Sequence, residues 1–397
     1  MIDKEKIKEI LTRGVEEIID KKHLKEELEK GKKLRIKLGI DPTSSEIHLG
    51  NAVVLRKLKE FQNLGHQIIF LIGDFTAKIG DPSGRISTRR PLTDEEIKKN
   101  MANYQKQVAK ILDLDKTEIR YNSEWYKKMS STEFLSLFQL ITLNRVLERE
   151  DFKNRLEKKL PLRVSEIFYP LLQGYDSVVL KTDLEIGGQD QLLNMLMGRE
   201  LQEKFGQKPQ DIMTLSLLEG LDGVKKMSKS YNNYIGINFE PNDMFGKIMS
   251  LPDNLIIKYF ILATDLPLSE IHQIEKAMKE GANPRDFKAK LAKEIVKIYH
   301  GEKMAEEAEK EFNKIFREKK LPTKIPTWKL RTGNWHLVDL LIKTKLATSK
   351  SEAKRLIQQG AVKINGQIEK DWRKEIEIKK GMIIKVGPRK FVKINTI

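Results

Sequence analysis

The 397-residue sequence predicts an α/β fold in which a parallel-sheet domain comes first, an α-helical domain follows and a small α+β module ends the chain. Three observations carry this. A strand–helix–strand unit lies within residues 34–75. Helical patterning fills 241–319. A helix–turn–helix–hairpin pattern follows a proline-containing segment near the end.

Residues 3–30 carry Ile7, Ile10, Leu11, Val15 and Ile18 at helical spacing, which predicts one helix. "LRIKLGID" (34–41) alternates apolar and polar residues before a Gly/Asp/Pro stop, the pattern of a strand. "AVVLRKLKEFQNLG" (52–65) predicts a helix ending at Gly65. "QIIFLIGDF" (67–75) is a nearly continuous apolar run, as expected of a strand covered on both faces. Strand, helix and strand at this spacing form a βαβ unit, hence the parallel sheet. Helical patterns fill 93–112 and 131–158, "SVVLKTDLEIGG" (177–188) returns to the sheet, and 191–205 is helical again. "KKLPTKIPTW" (319–328) has two prolines and no period, so it reads as a linker. Beyond it a hairpin is expected around Asn365-Gly366.

No apolar run reaches the ~18 residues a membrane span needs, and the charged N-terminus lacks a signal-peptide core. With no cysteine, disulfides and thiolate zinc sites are excluded, and a cytoplasmic setting fits best. The formal net charge is +17, and residues 331–397 hold 16 Lys+Arg against 6 Asp+Glu. A basic terminal module is an electrostatic footprint for nucleic acid. A Lys-rich solubility face, or a composition suited to high temperature, gives the same count.

Three stretches carry candidate chemistry. "GIDPTSSEIHLGN" (39–51) joins the first sheet strand to its helix, at the carboxyl edge where open α/β sheets bind ligands. A helix N-terminus there offers free N–H groups to phosphate. His48 and Asn51 belong to that first turn, and Gly50 lets a base or ribose approach the backbone. His48 capping the helix without a ligand is the alternative. "KKMSKS" (225–230) concentrates lysines on a loop, either a solvated tip or a clamp for phosphates. In "YPLLQGYD" (169–176), Tyr169, Gln173 and Asp176 share a helix face. An ordinary half-buried face reads the same way, although Gln173 and Asp176 are poor core residues.

"HLGN" (48–51) and "KMSKS" (226–230), in this order after a βαβ start, resemble the two signatures of class I aminoacyl-tRNA synthetases. "YPLLQGYD" is similar to the amino-acid-binding helix of the tyrosyl-tRNA synthetases, and residues 335–397 resemble the S4-like RNA-binding module of their bacterial members. The resemblance implies a Rossmann-like catalytic domain over 1–223 with a dimer-interface insertion near 125–160. It further implies a KMSKS loop and helical anticodon-stem domain over 224–320, a linker over 321–334 and the S4-like domain over 335–397. The activity implied is tyrosine–tRNA ligation. L-tyrosine and ATP give tyrosyl-AMP and pyrophosphate, and the tyrosyl group then passes to the terminal ribose of tRNA(Tyr).

The residue roles implied by the resemblance are these. His48, Asn51, Thr43, Lys226, Lys229, Arg85 and Arg89 would act on the phosphates. Gly39, Asp41, Pro42, Leu49, Gly50, Gly188, Asp190, Met227, Ser228 and Ser230 would complete the ATP site. Asp176 would accept a hydrogen bond from the substrate phenol, Tyr169, Gln173 and Asp81 would hold the α-ammonium, Gln191 would approach the carboxylate end, and Thr76 would line the same site. Asn122 and Trp125 would support Asp176. Lys350, Lys354 and Arg355 would meet RNA backbone. ATP is the cosubstrate, with Mg²⁺ carried on its phosphates and no metal site in the protein. A homodimer is implied, with Phe134, Leu137, Phe138 and Leu140 as apolar anchors, although a core helix within one subunit reads alike.

The sequence departs from the family in two places. Asn51 stands where the first signature usually ends in His. Lys37 stands where many members carry a Tyr, which leaves the second phenol contact open. The rival readings are tryptophanyl-tRNA synthetase, a non-catalytic RNA-binding scaffold and a nucleotidyltransferase. Asp176, the intact KMSKS and the basic tail weigh against them in turn.

Overall fold

The computed structural model describes residues 3–83, 92–318, 321–322, 325–387 and 390–397. It divides into two compact units, Met1–Ala305 and Glu306–Ile397.

In the first unit the predicted opening helix is broken. It becomes α1 (Lys4–Ile10), β1 (Val15–Ile19) and α2 (Lys21–Glu29). Gly14 takes φ +66°, a conformation that stops a helix. "VEEII" then pairs antiparallel with a later strand as a sheet edge. The expected βαβ unit follows as β2 (Arg35–Ile40), α3 (Leu49–Asn63) and β3 (Gln67–Ile72). Next come α4 (Asp94–Val108), β4 (Thr117–Tyr121) and α5 (Ser123–Tyr126). The single helix expected over 131–158 is three short ones, α6 (Ser131–Phe138), α7 (Leu143–Leu147) and α8 (Glu150–Glu157). Ser130 and Thr142 cap the first two of these, so capping residues divide the stretch. α9 (Val164–Leu180) absorbs the start of the segment expected to be strand, leaving β5 (Leu184–Gly188), and α10 (Leu192–Lys204) and β6 (Asp211–Leu215) follow.

The six strands run in the order β1-β6-β5-β2-β3-β4, all parallel except β1. Chain order reverses between β2 and β5, so a crevice opens at their carboxyl ends, where Gly39–Asp41 and Gly187–Gly188 lie. Ile36, Ile68, Ile69, Leu184 and Ile212 are fully buried in the sheet. The region expected to be helical is α11 (Pro241–Met249), α12 (Ile256–Ala263), α13 (Leu268–Lys279), α14 (Pro284–His300) and α15 (Glu302–Phe316). The boundary between the units falls inside α15.

The second unit is α+β, with β7 (Thr327–Leu330), β8 (Gly333–His336), α16 (Leu337–Lys343) and α17 (Lys350–Gln358). It continues with β9 (Val362–Ile364), β10 (Gln367–Glu369), β11 (Glu375–Ile378), β12 (Ile383–Val386) and β13 (Lys390–Thr396). The expected linker thus ends in a strand, because Thr327–Leu330 runs parallel to β13. The Asn365-Gly366 hairpin is present with both residues at positive φ, as a type I′ turn requires. Leu337, Leu340, Leu341, Ile357, Val362, Ile384 and Ile394 form this unit's core.

Candidate active site

A cleft of about 610 Å³ opens at the switch between β2 and β5. Gly39, Asp41, Thr43, His48, Gly50 and Asn51 line it from the β2–α3 connection. Gly188, Asp190, Lys226, Met227, Ser228 and Ser230 line it too, as do Thr76, Asp81, Tyr169, Gln173, Asp176 and Gln191. Of the remaining expected residues, Pro42 and Lys229 are not in the lining, and Leu49 is buried in the core instead. Arg85 and Arg89 lie outside the described residues.

His48 is the N-cap of α3. Its Nδ1 accepts the Asn51 N–H at 3.3 Å, and the Asn51 side-chain oxygen accepts the His48 N–H at 3.3 Å. Capping and a site role are therefore compatible. The cap fixes Nδ1 as the acceptor and leaves Nε2–H as the donor. Burial, with Lys229 and Lys226 nearby, pulls the imidazole down to about 4, so it is neutral at physiological pH. The Asn51 departure supplies the second half of the capping box.

The segment after the lysine loop pairs back onto this helix start. Leu49 N–H donates to Ile235 at 2.9 Å, and Ile237 N–H donates to Ile47 at 3.0 Å. Met227 is buried, and a Cβ on Gly50 would stand 3.4 Å from its Cβ. The tighter approaches are to the His48 ring, 3.1 Å from Nδ1 and 3.2 Å from Cε1, so a side chain at position 50 would press on the capping imidazole. Asn233, which sequence reasoning passed over, frames the loop. Its oxygen accepts Ser228 N–H at 2.8 Å, and its amide donates to Asp222 at 2.7 Å. The lysines themselves pair with carboxylates, Lys226 with Asp190 at 2.7 Å and Lys229 with Glu46 at 3.4 Å.

The other end of the cleft is buried. Asp176 on α9 is 3% exposed. It accepts Trp125 Nε1–H at 3.0 Å and Asn122 Nδ2–H at 3.3 Å, the two supports expected from sequence. Burial pushes its carboxyl up to about 7, while Lys37, Asn122, Trp125 and Tyr126 pull it back. Tyr169 donates to Asp41 at 3.0 Å, and Thr76 donates to the other oxygen of Asp41 at 2.7 Å. Asp81 accepts Gln191 Nε2–H at 2.6 Å and the Ser83 hydroxyl at 2.7 Å.

Lys37 resolves differently from a phenol contact. Fully buried on β2, it donates to Ser177 Oγ at 2.6 Å and to the Gln173 carbonyl at 3.4 Å, and it pairs with Glu185 at 3.0 Å. Its three hydrogens are engaged within the protein. Glu185, missed from sequence, also accepts Gln173 Nε2–H and the Ser177 hydroxyl.

The expected dimer anchors pack largely inward. Leu137 is buried, and Phe134, Phe138 and Leu140 pack against the subunit's own core. The exposed apolar residues of this region are Leu135, Leu143, Leu156, Leu160 and Val164. In the second unit, Ala353 and Ile357 bury one face of α17 while Lys350 and Arg355 are exposed. The Lys354 ammonium sits 4.1 Å over the Trp372 ring, with Arg373 at 4.9 Å.

Comparison with known proteins agrees with this geometry. Residues 29–317 match the family "tRNA synthetases class I (W and Y)", and 318–393 match the "Tyrosine--tRNA ligase SYY-like C-terminal domain". The tyrosine–tRNA ligase of Thermotoga maritima is 48% identical, covering 100% of this chain and 98% of its own. That of Carboxydothermus hydrogenoformans is 50% identical, covering 97% of each. Among solved structures, the tyrosyl-tRNA synthetase of Archaeoglobus fulgidus complexed with L-tyrosine aligns with a TM-score of 0.62 and 27% identity, over 77% of this chain and 99% of its own. With both parts of the sequence matched and identity near one half over the full length, the chain belongs to the class I tyrosyl-tRNA synthetase family.

Proposed function

We propose that the cleft activates L-tyrosine with ATP and that the second unit holds the tRNA(Tyr) which then receives the tyrosyl group. The observation that carries the reading is Asp176, a buried carboxylate aimed by Trp125 and Asn122 at the closed end of the cleft. Such a group is stable there when a donor such as a phenol O–H meets it. Tyr169, Gln173 and Asp81 then surround the substrate ammonium. The tyrosine carboxylate attacks the α-phosphorus of ATP, a new C–O–P bond forms, and pyrophosphate leaves with the bonding electrons.

The reaction needs no protein nucleophile. Its acceleration comes from positioning and from charge placed where negative charge develops. His48 donates Nε2–H to the phosphates as a neutral group, with Thr43 and the α3 N-terminus beside it. Lys226 and Lys229 exchange Asp190 and Glu46 for the departing pyrophosphate. Arg85 and Arg89 act on the same phosphates, and Gly188 and Asp190 approach the ribose. Among the described residues, the one cluster with metal-ligand spacing, Asp20, His23 and Asp211, includes no residue of the cleft lining. Asp190 and Glu46 pair with lysines and Asp41 accepts Tyr169 and Thr76, so Mg²⁺ fits as an ion held by the ATP phosphates rather than by a protein cage.

In this proposal residues 1–223 carry catalysis, 224–320 contact the anticodon stem, and Lys350, Lys354 and Arg355 contact RNA backbone. A cytoplasmic homodimer completes it. Its apolar face is assigned to Leu135, Leu143, Leu156, Leu160 and Val164, because these are the exposed ones. No helix of the described residues is long and apolar enough to cross a membrane. ATP–pyrophosphate exchange with each of the twenty amino acids tests the reading. Exchange with tyrosine alone is expected. Exchange with tryptophan alone would reassign the substrate, and none at all would leave an RNA-binding scaffold.

A further inference from the structure

Arg149 stands between α7 and α8, outside every stretch that the signatures cover, and is 5% exposed. Asp151 grips it through both carboxylate oxygens, at 3.0 and 2.9 Å, and its guanidinium lies 4.7 Å from the Phe152 ring. Two arms leave this anchor. One nitrogen donates to Asn194 Oδ1 at 2.6 Å, and another donates to Ser83 Oγ at 3.0 Å.

The first arm decides the orientation of three amides. A side-chain amide can flip end for end unless its partners are one-sided. A guanidinium only donates, so Asn194 must turn its oxygen to Arg149 and its NH₂ toward the cleft. That NH₂ reaches Gln173 Oε1 at 3.0 Å and Gln191 Oε1 at 3.2 Å. Both glutamines must then send their NH₂ groups away from Asn194. Gln173 sends its NH₂ to Glu185 at 3.3 Å, and Gln191 sends its own to Asp81 at 2.6 Å. The chain is consistent only in this sense, because it starts on a donor-only group and ends on two acceptor-only carboxylates. The second arm reaches Asp81 by another route, since Ser83 Oγ donates to Asp81 at 2.7 Å. The two arms therefore hold Gln173, Gln191 and Asp81, all assigned above to the amino-acid site.

We propose that Arg149 is a positioning residue for the amino-acid site, acting through Asn194 and Ser83 to fix the donor and acceptor directions of Gln173, Gln191 and Asp81. The inference rests on the tyrosine-activating reading of the cleft. With Arg149 in place, Gln173 holds its acceptor oxygen on the Asn194 side and Asp81 keeps one oxygen on each arm. Without it, Asn194 loses its one-sided partner, and flipped amides would set oxygen against carboxylate or donor against ammonium.

The test is tyrosine-dependent ATP–pyrophosphate exchange by the full-length protein, with tyrosine and ATP varied separately. In Arg149→Met the KM for tyrosine rises about tenfold or more, while the KM for ATP changes less than about twofold. Arg149→Lys falls between, because an ammonium can serve one arm but lacks the fork that serves both. Adding Arg149→Met to Asn194→Ala raises the tyrosine KM less than the product of the single effects, since the two lie on one relay. A role confined to stability predicts a lower melting midpoint with both KM values unmoved. That result, or equal rises for tyrosine and ATP, overturns the proposal. If Arg149→Met does not fold, Arg149→Lys decides it by the same two constants. Absence of tyrosine-dependent exchange in the unaltered protein would remove the functional reading and the relay with it. An active parent with unmoved variants removes the relay alone.

Discussion

At the Asp176 end of the cleft the charged groups are sealed inside the subunit and each has several partners. At the Lys226–Lys229 end they reach water and hold few. Lys37 and Glu185 are 0% and 1% exposed and bonded on every side, whereas Lys229 and Glu46 are 26% and 46% exposed. A rigid, desolvated end suits recognition of a substrate whose shape does not change. A loosely paired end suits phosphates that gain charge and then depart. The backbone repeats the contrast. The buried pair joins adjacent sheet strands, and the lysines sit on a loop pinned chiefly by Met227 and Asn233.

The largest effect expected from this contrast is on stability. Replacing Lys37 with Met leaves Glu185 charged and unpaired in the core, which costs about 3–5 kcal/mol. Replacing both with Met restores most of it, because two apolar side chains leave no buried charge. Urea unfolding of the single and double variants measures this. A single variant within about 1 kcal/mol of the parent would show that the closed end is not the rigid one.

The next effect is on chemistry. Lys229→Ala or Lys226→Ala should lower the exchange rate constant by about 10²–10³, the range for removing a charge-stabilising donor. The tyrosine KM should stay within about twofold and stability should barely change, since exposed ion pairs contribute about 0–1 kcal/mol. A large rise in tyrosine KM would mean that the two ends are not independent.

The fold was largely legible because its signals are local. Apolar runs and turn residues placed β2, α3, β3 and the Asn365-Gly366 hairpin. The signature residues were legible because they lie next to one another in the chain. What escaped depends on distant partners. Lys37 sits in an alternating strand and reads as solvent-facing, and only α9, which brings Ser177 and Gln173 to it, and Glu185 on β5 make it a core residue. Glu185 is its partner from 148 residues away. Asn194 and Arg149 stand 45 residues apart with no shared motif. β1 reads as helix in the sequence because "VEEII" fits either period, and only its pairing with the distant β6 makes it a strand.

Asp176 supplies a smaller and graded effect. Its folded-state carboxyl is raised to about 7 by burial, above the unfolded value near 3.9. Its contribution to stability is therefore full below about pH 4 and is lost as pH rises through about 7. On the proposed reading tyrosine binding needs the opposite state, because the ionised carboxylate accepts a hydrogen bond from the phenol O–H. The groups facing it are Lys37, Asn122, Trp125 and Tyr126. With His48 neutral above about pH 5, kcat/KM for tyrosine should fall by up to about tenfold per pH unit below about 7. Asp176→Asn should flatten that limb. A limb near pH 4 would place Asp176 in a wetter site than its burial indicates.

Glu46→Gln gives the smallest effect and the sharpest contrast with Lys37. Glu46 holds Lys229 and also accepts the Tyr234 hydroxyl at 3.2 Å. The amide keeps the shape and an acceptor and removes the charge. Stability should move by less than about 0.5 kcal/mol, as for other half-exposed pairs. Lys229 no longer has to leave a carboxylate to reach the phosphates, so the KM for ATP should fall about twofold at low salt. Higher ionic strength should erase the gain, because salt already screens the pair in the parent. If the KM for ATP rises instead, Glu46 holds Lys229 where the phosphates need it. The loop end would then be preorganised by a solvent-facing carboxylate, just as Glu185 organises the buried one, and exposure alone would not separate the two ends.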